Sequence, residues 1–182
     1  MVNRKEEMKI NLSESLRELV IKEPFEKIII KKICDQAGVI RATFYNYYVD
    51  KYDCLNHIIF FDFIENVFEE NKNKSIDSVI YDLISIINLN KQFYRNIFRF
   101  KDYFLITNMI EDNLKILLNE YLNHNNIDHG ESQKSICKFH ANSLTYIIES
   151  WLVDEYSSNI DEIHSKFRKL ESINFEKAFS KN

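Results

Sequence analysis

Side chains suited to hydrogen bonding with DNA bases and phosphates are concentrated between residues 31 and 51. Arg41 can form a bidentate pair with guanine, and Asn46 can do the same with adenine. The hydroxyls of Thr43 and Tyr45 can donate to phosphate oxygens, and the small Ala42 permits a close approach to base edges. The candidate DNA-contacting residues are Lys31, Ile40, Arg41, Ala42, Thr43, Tyr45, Asn46, Tyr47 and Lys51.

Two short helices must hold these side chains in position. Ile30 and Ile33 give the first helix one buried face. Gly38 then supplies the positive φ with which a helix often ends. Phe44 and Tyr48 turn inward and hold a second helix, from about residue 40 to residue 47, against the first. A helix pair joined by a short turn containing Gly is typical of the helix-turn-helix, whose second helix enters the major groove of DNA.

The same stretch resembles a known family of bacterial regulators. AGVIRATFYNYYVDKYDCL is similar to the AGVSxGTxYxxFxxKxxLL signature of TetR/AcrR-family transcriptional regulators, and PFEKIIIKKICDQAG resembles that family's PFEKITVKDIxxxAG segment. Two positions depart from the pattern, because Ile29 stands where the family has a capping Thr and Ile40 where it has Ser. Each lost cap costs about 1 kcal/mol of local helix stability. The loss at Ile40 also removes a phosphate ligand, so we expect weaker DNA binding than is usual in the family.

The composition favours a mostly helical protein of the reducing cytosol. The 182 residues are 45% hydrophobic, which excludes wholesale disorder, and they include only two Gly and one Pro, which argues against an all-β fold. Cys34, Cys54 and Cys137 are odd in number and lack a CxxC pair, so we expect buried thiols. The charged N-terminus does not resemble a signal peptide, and no apolar run is long enough to span a bilayer. We therefore expect a cytoplasmic protein that does not enter a membrane.

Charge is distributed unevenly along the chain, whose net charge is −4. Residues 1–56 carry 10 basic and 9 acidic side chains, whereas the remainder carries 14 and 19. Residues 27–48 contain four basic side chains and one acidic side chain. The electrostatic footprint expected for nucleic-acid binding therefore belongs to the N-terminal part.

We predict an all-α fold of about nine helices in two domains. Residues 1–52 would form a three-helix helix-turn-helix DNA-binding domain, and residues 53–182 a helical regulatory domain for ligand binding and dimerisation. A long helix from about residue 51 to residue 72 would connect the two. The last two helices would run from about 133 to 156 and from about 160 to 179. The first carries apolar residues on more than one face and the second carries them in one stripe, which fits a symmetric dimer.

The resemblance implies that these last two helices form a four-helix bundle with those of a second subunit. The candidate dimer-interface residues are Ile147, Trp151, Ile163, Phe167 and Leu170. Members of the family also often bind a small effector within the C-terminal domain. The aromatic cluster between Phe93 and Phe104 is explained by core packing, and the alternative is that some of its residues line such a pocket. The candidate pocket residues are Phe93, Phe98, Tyr103, Phe104, His140 and Trp151.

The sequence offers little for catalysis. GxSxG, HExxH, P-loop and GxGxxG motifs are absent from it, and Gly is too scarce for a phosphate-binding loop. We expect no enzyme activity, no cofactor and no metal site. The interpretation that fits best is a homodimeric repressor on a palindromic operator, relieved by a small-molecule effector. The alternative is a co-activator of the same fold whose C-terminal domain docks another protein.

Overall fold

The structure is a computed structural model that describes residues 4–153 and 159–172. Throughout these residues every regular element is helical, which confirms the all-α fold. The first three helices are α1 (Arg4–Lys22), α2 (Ile30–Ala37) and α3 (Arg41–Tyr45), with a 3₁₀ turn at Phe25–Lys27. The others are α4 (Lys51–Phe60), α5 (Ile76–Leu89), α6 (Lys91–Phe98), α7 (Tyr103–His124), α8 (Gln133–Val153) and α9 (Ile160–Ser172). In the described ranges none of these helices has a stretch long and apolar enough to span a bilayer.

Several helix ends differ from the predicted ones. The recognition helix α3 is shorter than predicted, because residues 46 and 47 form a turn. The predicted end of α8, near residue 156, and that of α9, near residue 179, lie outside the described residues. A 3₁₀ turn at Gly130–Ser132 leads directly into α8.

The predicted connecting helix is present, but its second half is a π-helix. Phe61–Glu69 continues α4 with the wider i→i+5 turn. In such a turn residues five apart lie above one another, and the buried residues Asp62, Phe63, Val67 and Phe68 have that spacing. The sequence indicated burial on several sides of this helix, but not the change of helix type.

A buried ion pair joins α1 to this π-helical segment. Arg17 donates from Nη1 to Asp62 Oδ2 at 3.0 Å and from Nη2 to Asp62 Oδ1 at 2.9 Å. Tyr94 on α6 donates its hydroxyl to Asp62 Oδ2 at 2.6 Å, and Arg17 Cζ lies 4.9 Å from the centroid of the Phe93 ring. Arg17 is 8% exposed and Asp62 is 2% exposed. Three helices therefore meet at one buried carboxylate, and we call this arrangement the Arg17–Asp62–Tyr94 contact.

The Arg17–Asp62–Tyr94 contact is satisfied as a network of hydrogen bonds. Burial raises the pKa of Tyr94, and the charge of Asp62 raises it further, so the hydroxyl keeps its proton and remains a donor. Arg17 also donates from Nε to Glu14 Oε1 at 3.1 Å. A buried charge is tolerated when such partners surround it, and its loss of hydration is then offset.

The apolar core runs without a break from α1 to α9 in the described residues. The predicted domain boundary, after residue 52, falls inside α4 (Lys51–Phe60). Asn96 on α6 also donates to the carbonyl of Val20 on α1 at 2.7 Å, and Lys101 N–H donates to Glu26 Oε1 at 3.1 Å. The division at residue 52 stays a prediction, and α1 packs closely on the rest of the chain.

The first testable prediction concerns the Arg17–Asp62–Tyr94 contact. Asp62→Ala leaves a buried guanidinium without its carboxylate, and we expect a loss of about 3–5 kcal/mol in the free energy of unfolding. The triple variant Arg17→Leu/Asp62→Leu/Tyr94→Phe should recover most of this loss, because it removes both charges and leaves no buried hydroxyl without an acceptor. Urea denaturation monitored by circular dichroism gives these values.

A matched control is the exposed pair Lys31–Asp35, whose Nζ–Oδ2 distance is 3.0 Å and whose side chains are 63% and 60% exposed. Asp35→Ala should cost less than about 1 kcal/mol, as exposed ion pairs usually do. If Asp62→Ala cost no more than Asp35→Ala, the buried contact would not hold the helices together.

Candidate nucleic-acid interface

Gly38 makes the turn between α2 and α3 possible. It has φ 70° and ψ 31°, in the left-handed region, and the following Val39 donates its N–H to the Cys34 carbonyl at 2.9 Å. A Cβ atom at Gly38 would meet no heavy atom within 4 Å among the described residues. The backbone conformation, rather than a lack of space, therefore favours glycine here.

The inner side of the recognition helix is fixed to α1 and α4. Phe44 is fully buried, and its ring lies 5.6 Å from that of Tyr48, which is 3% exposed. The Tyr48 hydroxyl donates to the Lys9 carbonyl at 3.1 Å and lies 3.0 Å from His57 Nδ1. Burial raises the pKa of Tyr48 and lowers that of His57, which favours the neutral form of each. These contacts determine which face of α3 is turned outward.

The outer side of α3 carries the residues that the sequence indicated. Arg41, Ala42, Tyr45 and Asn46 are exposed, and the Tyr45 side chain is 57% exposed. Thr43 and Tyr47 are half-buried at the edges of this face. These side chains are thus presented to solvent on one short helix and the turn that follows it. Their contact with DNA stays a prediction.

The N-termini of α2 and α3 lack the caps that the family pattern leads one to expect. Ile29 and Ile40 are their N-cap residues, and within the described residues neither helix has a side-chain hydrogen bond at its N-cap. Ile29 is 53% exposed and Ile40 is 71% exposed. Packing into the core therefore does not explain these two isoleucines.

Lys51 has a structural task that the sequence did not reveal. Its ammonium donates to the carbonyls of Phe25 at 2.8 Å, Ile28 at 2.9 Å and Glu26 at 3.3 Å. It also lies 4.5 Å from the centroid of the Phe25 ring, and burial lowers its pKa. An ammonium has three N–H donors, and here each has a carbonyl partner. We therefore no longer expect the Lys51 side chain to contact phosphate, and infer that it holds the α1–α2 linker against α4.

Asp50 is a second residue that sequence reasoning missed. Its Oδ1 accepts the N–H groups of Tyr52 at 2.8 Å and Asp53 at 2.9 Å, which caps α4. Asp53 in turn accepts the N–H of Val49 at 2.9 Å. The pattern of two acids three residues apart at the start of a helix resembles a capping box and was visible in the sequence. This cap fixes the point at which the chain leaves the recognition helix and enters α4.

Comparison with known proteins agrees with this architecture. A family model described as a transcriptional regulator C-terminal region, of the TetR type, matches residues 74–171, which is more than half of the chain. The chain belongs to the TetR family of transcriptional regulators. The match covers the part of the chain that follows the helix-turn-helix, so it is independent of the motif at residues 37–55. No curated protein matches the chain.

Solved structures of three transcriptional regulators, two of them described as TetR regulators, share the fold. DhaS, an activator of a dihydroxyacetone kinase operon, is 20% identical with a TM-score of 0.67 over 90% of this chain and 93% of its own. A TetR-family regulator from Syntrophomonas wolfei is 15% identical with a TM-score of 0.68, over 92% and 94%. A TetR regulator from Streptococcus agalactiae is also 15% identical, with a TM-score of 0.64 over the same shares. Identities this low show a common fold and nothing finer.

The structure disperses the six candidate pocket residues. Phe93, Phe98 and Trp151 are buried in the core, and Lys91 Nζ lies 4.8 Å from the centroid of the Trp151 ring. Tyr103 and Phe104 lie at the start of α7 and are 39% and 76% exposed. His140 alone among the six lines a cavity between α5, α7, α8 and α9. Core packing, the alternative that the sequence left open, explains Phe93, Phe98 and Trp151 but not the exposed Tyr103 and Phe104.

Most of the candidate dimer residues also pack inside their own chain. Ile147, Trp151, Ile163 and Phe167 are 2–4% exposed, and of the five only Leu170 is substantially exposed, at 45%. A different stripe of α8 faces solvent, and it consists of Phe139, Ser143, Tyr146, Ser150 and Val153. Phe139 is 70% exposed and Tyr146 is 67% exposed. Helix α8 thus has an exposed apolar stripe, but the two candidate residues on this helix, Ile147 and Trp151, lie on its other face.

The second prediction separates the two lysines near the recognition helix. Lys51→Met keeps the apolar stem but leaves the carbonyl of Ile28 without the donor it has in the wild type, so the free energy of unfolding should fall by about 1–3 kcal/mol. Its DNA binding should keep the same dependence on salt. Lys31→Met should have little effect on stability and should reduce the slope of log K against log salt by about one.

Urea denaturation and fluorescence anisotropy between 50 and 200 mM salt measure the two quantities. A reduced salt slope for Lys51→Met at unchanged stability would show that its ammonium binds phosphate.

Proposed function

We propose that this TetR-family regulator acts in the cytoplasm as a homodimeric repressor, binding a palindromic operator and released by a small-molecule effector. The observation that carries the proposal is the exposed face of α3, where Arg41, Ala42 and Tyr45 project from a helix held by Phe44 and the Gly38 turn, with Asn46 in the turn that follows. A five-residue helix with those side chains fits the major groove. Two such helices in a dimer would read half-sites about 34–36 Å apart.

The roles of the side chains follow from their chemistry and exposure. Arg41 projects from the first position of α3, where a bidentate pair with guanine is geometrically accessible. Asn46 at the C-terminal end is suited to adenine, and the Tyr45 hydroxyl to phosphate. The exposed Ile40 offers an apolar surface in place of a phosphate-binding hydroxyl. We therefore expect sequence preference to depend mainly on Arg41.

The exposed stripe of α8 supports the homodimer. Phe139, Ser143, Tyr146, Ser150 and Val153 follow one another at alternating intervals of four and three residues, which is the spacing of a seam between packed helices. The two serines are half-buried and small, so a second helix can approach closely. A second copy of the chain would present the same stripe, as a twofold axis requires. TetR-family regulators typically dimerise, so the occupant that we propose for this face is a second subunit.

The alternative is a co-activator whose C-terminal part docks another protein. It is favoured by the name of one structural neighbour, DhaS, which is an operon activator. The two functions differ in a mobility-shift experiment with the purified chain alone. A repressor binds its operator and blocks transcription in vitro, whereas the co-activator would require a second protein for either effect.

The third prediction assigns the base-reading residue. Arg41→Ala should cost about 1–3 kcal/mol at one base position and leave neighbouring positions unaffected. Tyr45→Phe should instead weaken binding to all sequences to a similar extent. Lys134→Ala, at the exposed start of α8, is the control and should change neither quantity. Selection of operators from a random pool, followed by anisotropy on single-base variants, measures them. Unchanged discrimination in Arg41→Ala would assign the reading to another residue.

The fourth prediction assigns the dimer interface. Tyr146→Glu introduces a charge that is solvated in the monomer but buried and unpaired in the proposed dimer, so it should yield folded monomers. Leu89→Glu, at a site on α5 that is 79% exposed, is the matched control and should leave the dimer intact. Sedimentation equilibrium measures the mass, and circular dichroism verifies the fold.

Two results would count against this assignment. A Tyr146→Glu dimer as stable as the wild type would place the interface elsewhere. A monomeric wild-type chain at micromolar concentration would overturn the homodimer.

A further inference from the structure

A cavity at the end of the helical body remote from α3 has the dimensions of a small-molecule site. Its volume is about 540 Å³, inside the range of about 300–1,000 Å³ that is usual for ligand pockets. It lies between α5, α7, α8 and α9 and is partly open to solvent. The residues Ile80, Leu144 and Phe167 form its floor and are 1–4% exposed. Leu118, Ile136 and Cys137 complete an apolar wall.

Charged and histidine side chains line this cavity from several elements: Asp77 on α5, His129 in the loop before α8, His140 on α8 and Arg168 on α9. Arg168 Nε lies 3.4 Å from Asp77 Oδ1, and His164 Nε2 lies 3.2 Å from the same oxygen. His129 is exposed at the rim, and the Arg168 side chain is 66% exposed. The only acid at the rim among the described residues is therefore Asp77, and it already faces two nitrogen-containing side chains.

The charged side chains at the rim favour a ligand with a negatively charged head group over one with a positively charged head group. A cationic head would have to compete for Asp77 with Arg168 and His164. An anionic head would meet Arg168, whose contact with Asp77 is made through Nε. The two terminal nitrogens of the guanidinium point in a fixed fork that suits a carboxylate.

We propose that the cavity binds a small amphipathic anion, with its aliphatic chain on the floor formed by Ile80, Leu144 and Phe167 and its carboxylate at Arg168. This names the chemical class of the effector in the proposed function. The binding itself does not depend on that function, because it is measured without DNA. Since α8 and α9 form part of the cavity wall, an occupant would lie against the helix that carries the exposed stripe of Phe139 and Tyr146.

Titration calorimetry with a series of straight-chain carboxylates tests the apolar half of the proposal. From hexanoate to octanoate to decanoate, the Kd should fall about fourfold for each added methylene until the chain fills the cavity. No detectable binding of any member, or a Kd independent of chain length, would overturn the proposal.

Two matched variants test the location. Ile136→Trp places a large ring in the cavity wall and should weaken octanoate binding about tenfold or more. Ile116→Trp is the control, since Ile116 is on α7, 41% exposed and outside the cavity lining. Thermal melts verify that both variants fold. Equal affinities in the two variants would overturn the assignment of the site.

Arg168→Gln and 1-octanol together test the head group. The variant should bind octanoate about tenfold more weakly, because a charge-assisted hydrogen bond is lost. The variant and the wild type should bind 1-octanol with equal affinity, because the alcohol carries no charge for Arg168 to recognise. If the wild-type protein bound octanol as tightly as octanoate, the proposal that the site recognises a negatively charged head group would be wrong.

The effect of octanoate on operator affinity is measured in a separate experiment. If octanoate binds in the cavity as described and lowers operator affinity, both proposals are supported. If it binds in the same way and leaves operator affinity unchanged, the ligand site stands and the effector part of the proposed function fails.

Discussion

Arg17 and Asp62 form the contact on which the position of the DNA-reading helices depends. The pair is almost fully buried, both guanidinium ends are bonded to the carboxylate, and Tyr94 adds a third hydrogen bond at 2.6 Å. Neither charge can leave its partner without remaining dehydrated, which costs far more than breaking an exposed pair. Helix α1 is therefore fixed to the π-helical segment and to α6, and we infer that the DNA-binding helices cannot tilt freely relative to the body.

Helix α4 and its π-helical continuation connect this contact to the recognition helix. Asp50 caps the helix where the chain leaves α3, Lys51 holds the α1–α2 linker one residue later, and Asp62 lies farther along the same rod. A shift of the rod would move the linker, α1 and α3 together. Under the proposed function, a ligand acts on DNA binding only through its differential affinity for two such positions.

The elements that the sequence predicted are those set by local spacing. Gly38 and the apolar positions around it determine the turn, and the inward Phe44 determines which face of α3 is exposed. Contacts between distant residues were not predictable in this way. Arg17 and Asp62 are 45 residues apart. In the sequence Asp62 appears only as a polar interruption of an apolar helix, and Arg17 as one of many charged residues in α1. The role of Lys51 was missed because its three carbonyl partners belong to a linker more than 20 residues away.

The dimer residues show a limit of a different kind. Helix α8 has apolar residues on two faces, and periodicity alone does not tell which face packs on its own chain. The structure assigns Ile147 and Trp151 to the core and leaves Phe139 and Tyr146 exposed.

Hydrogen exchange under native conditions tests the central inference, that the DNA-binding helices and the body form one cooperative unit. We predict that the slowest amides of α1 and of α6 exchange with the same free energy of opening. Exchange of α1 through an opening of much lower free energy, with α6 still protected, would contradict this account.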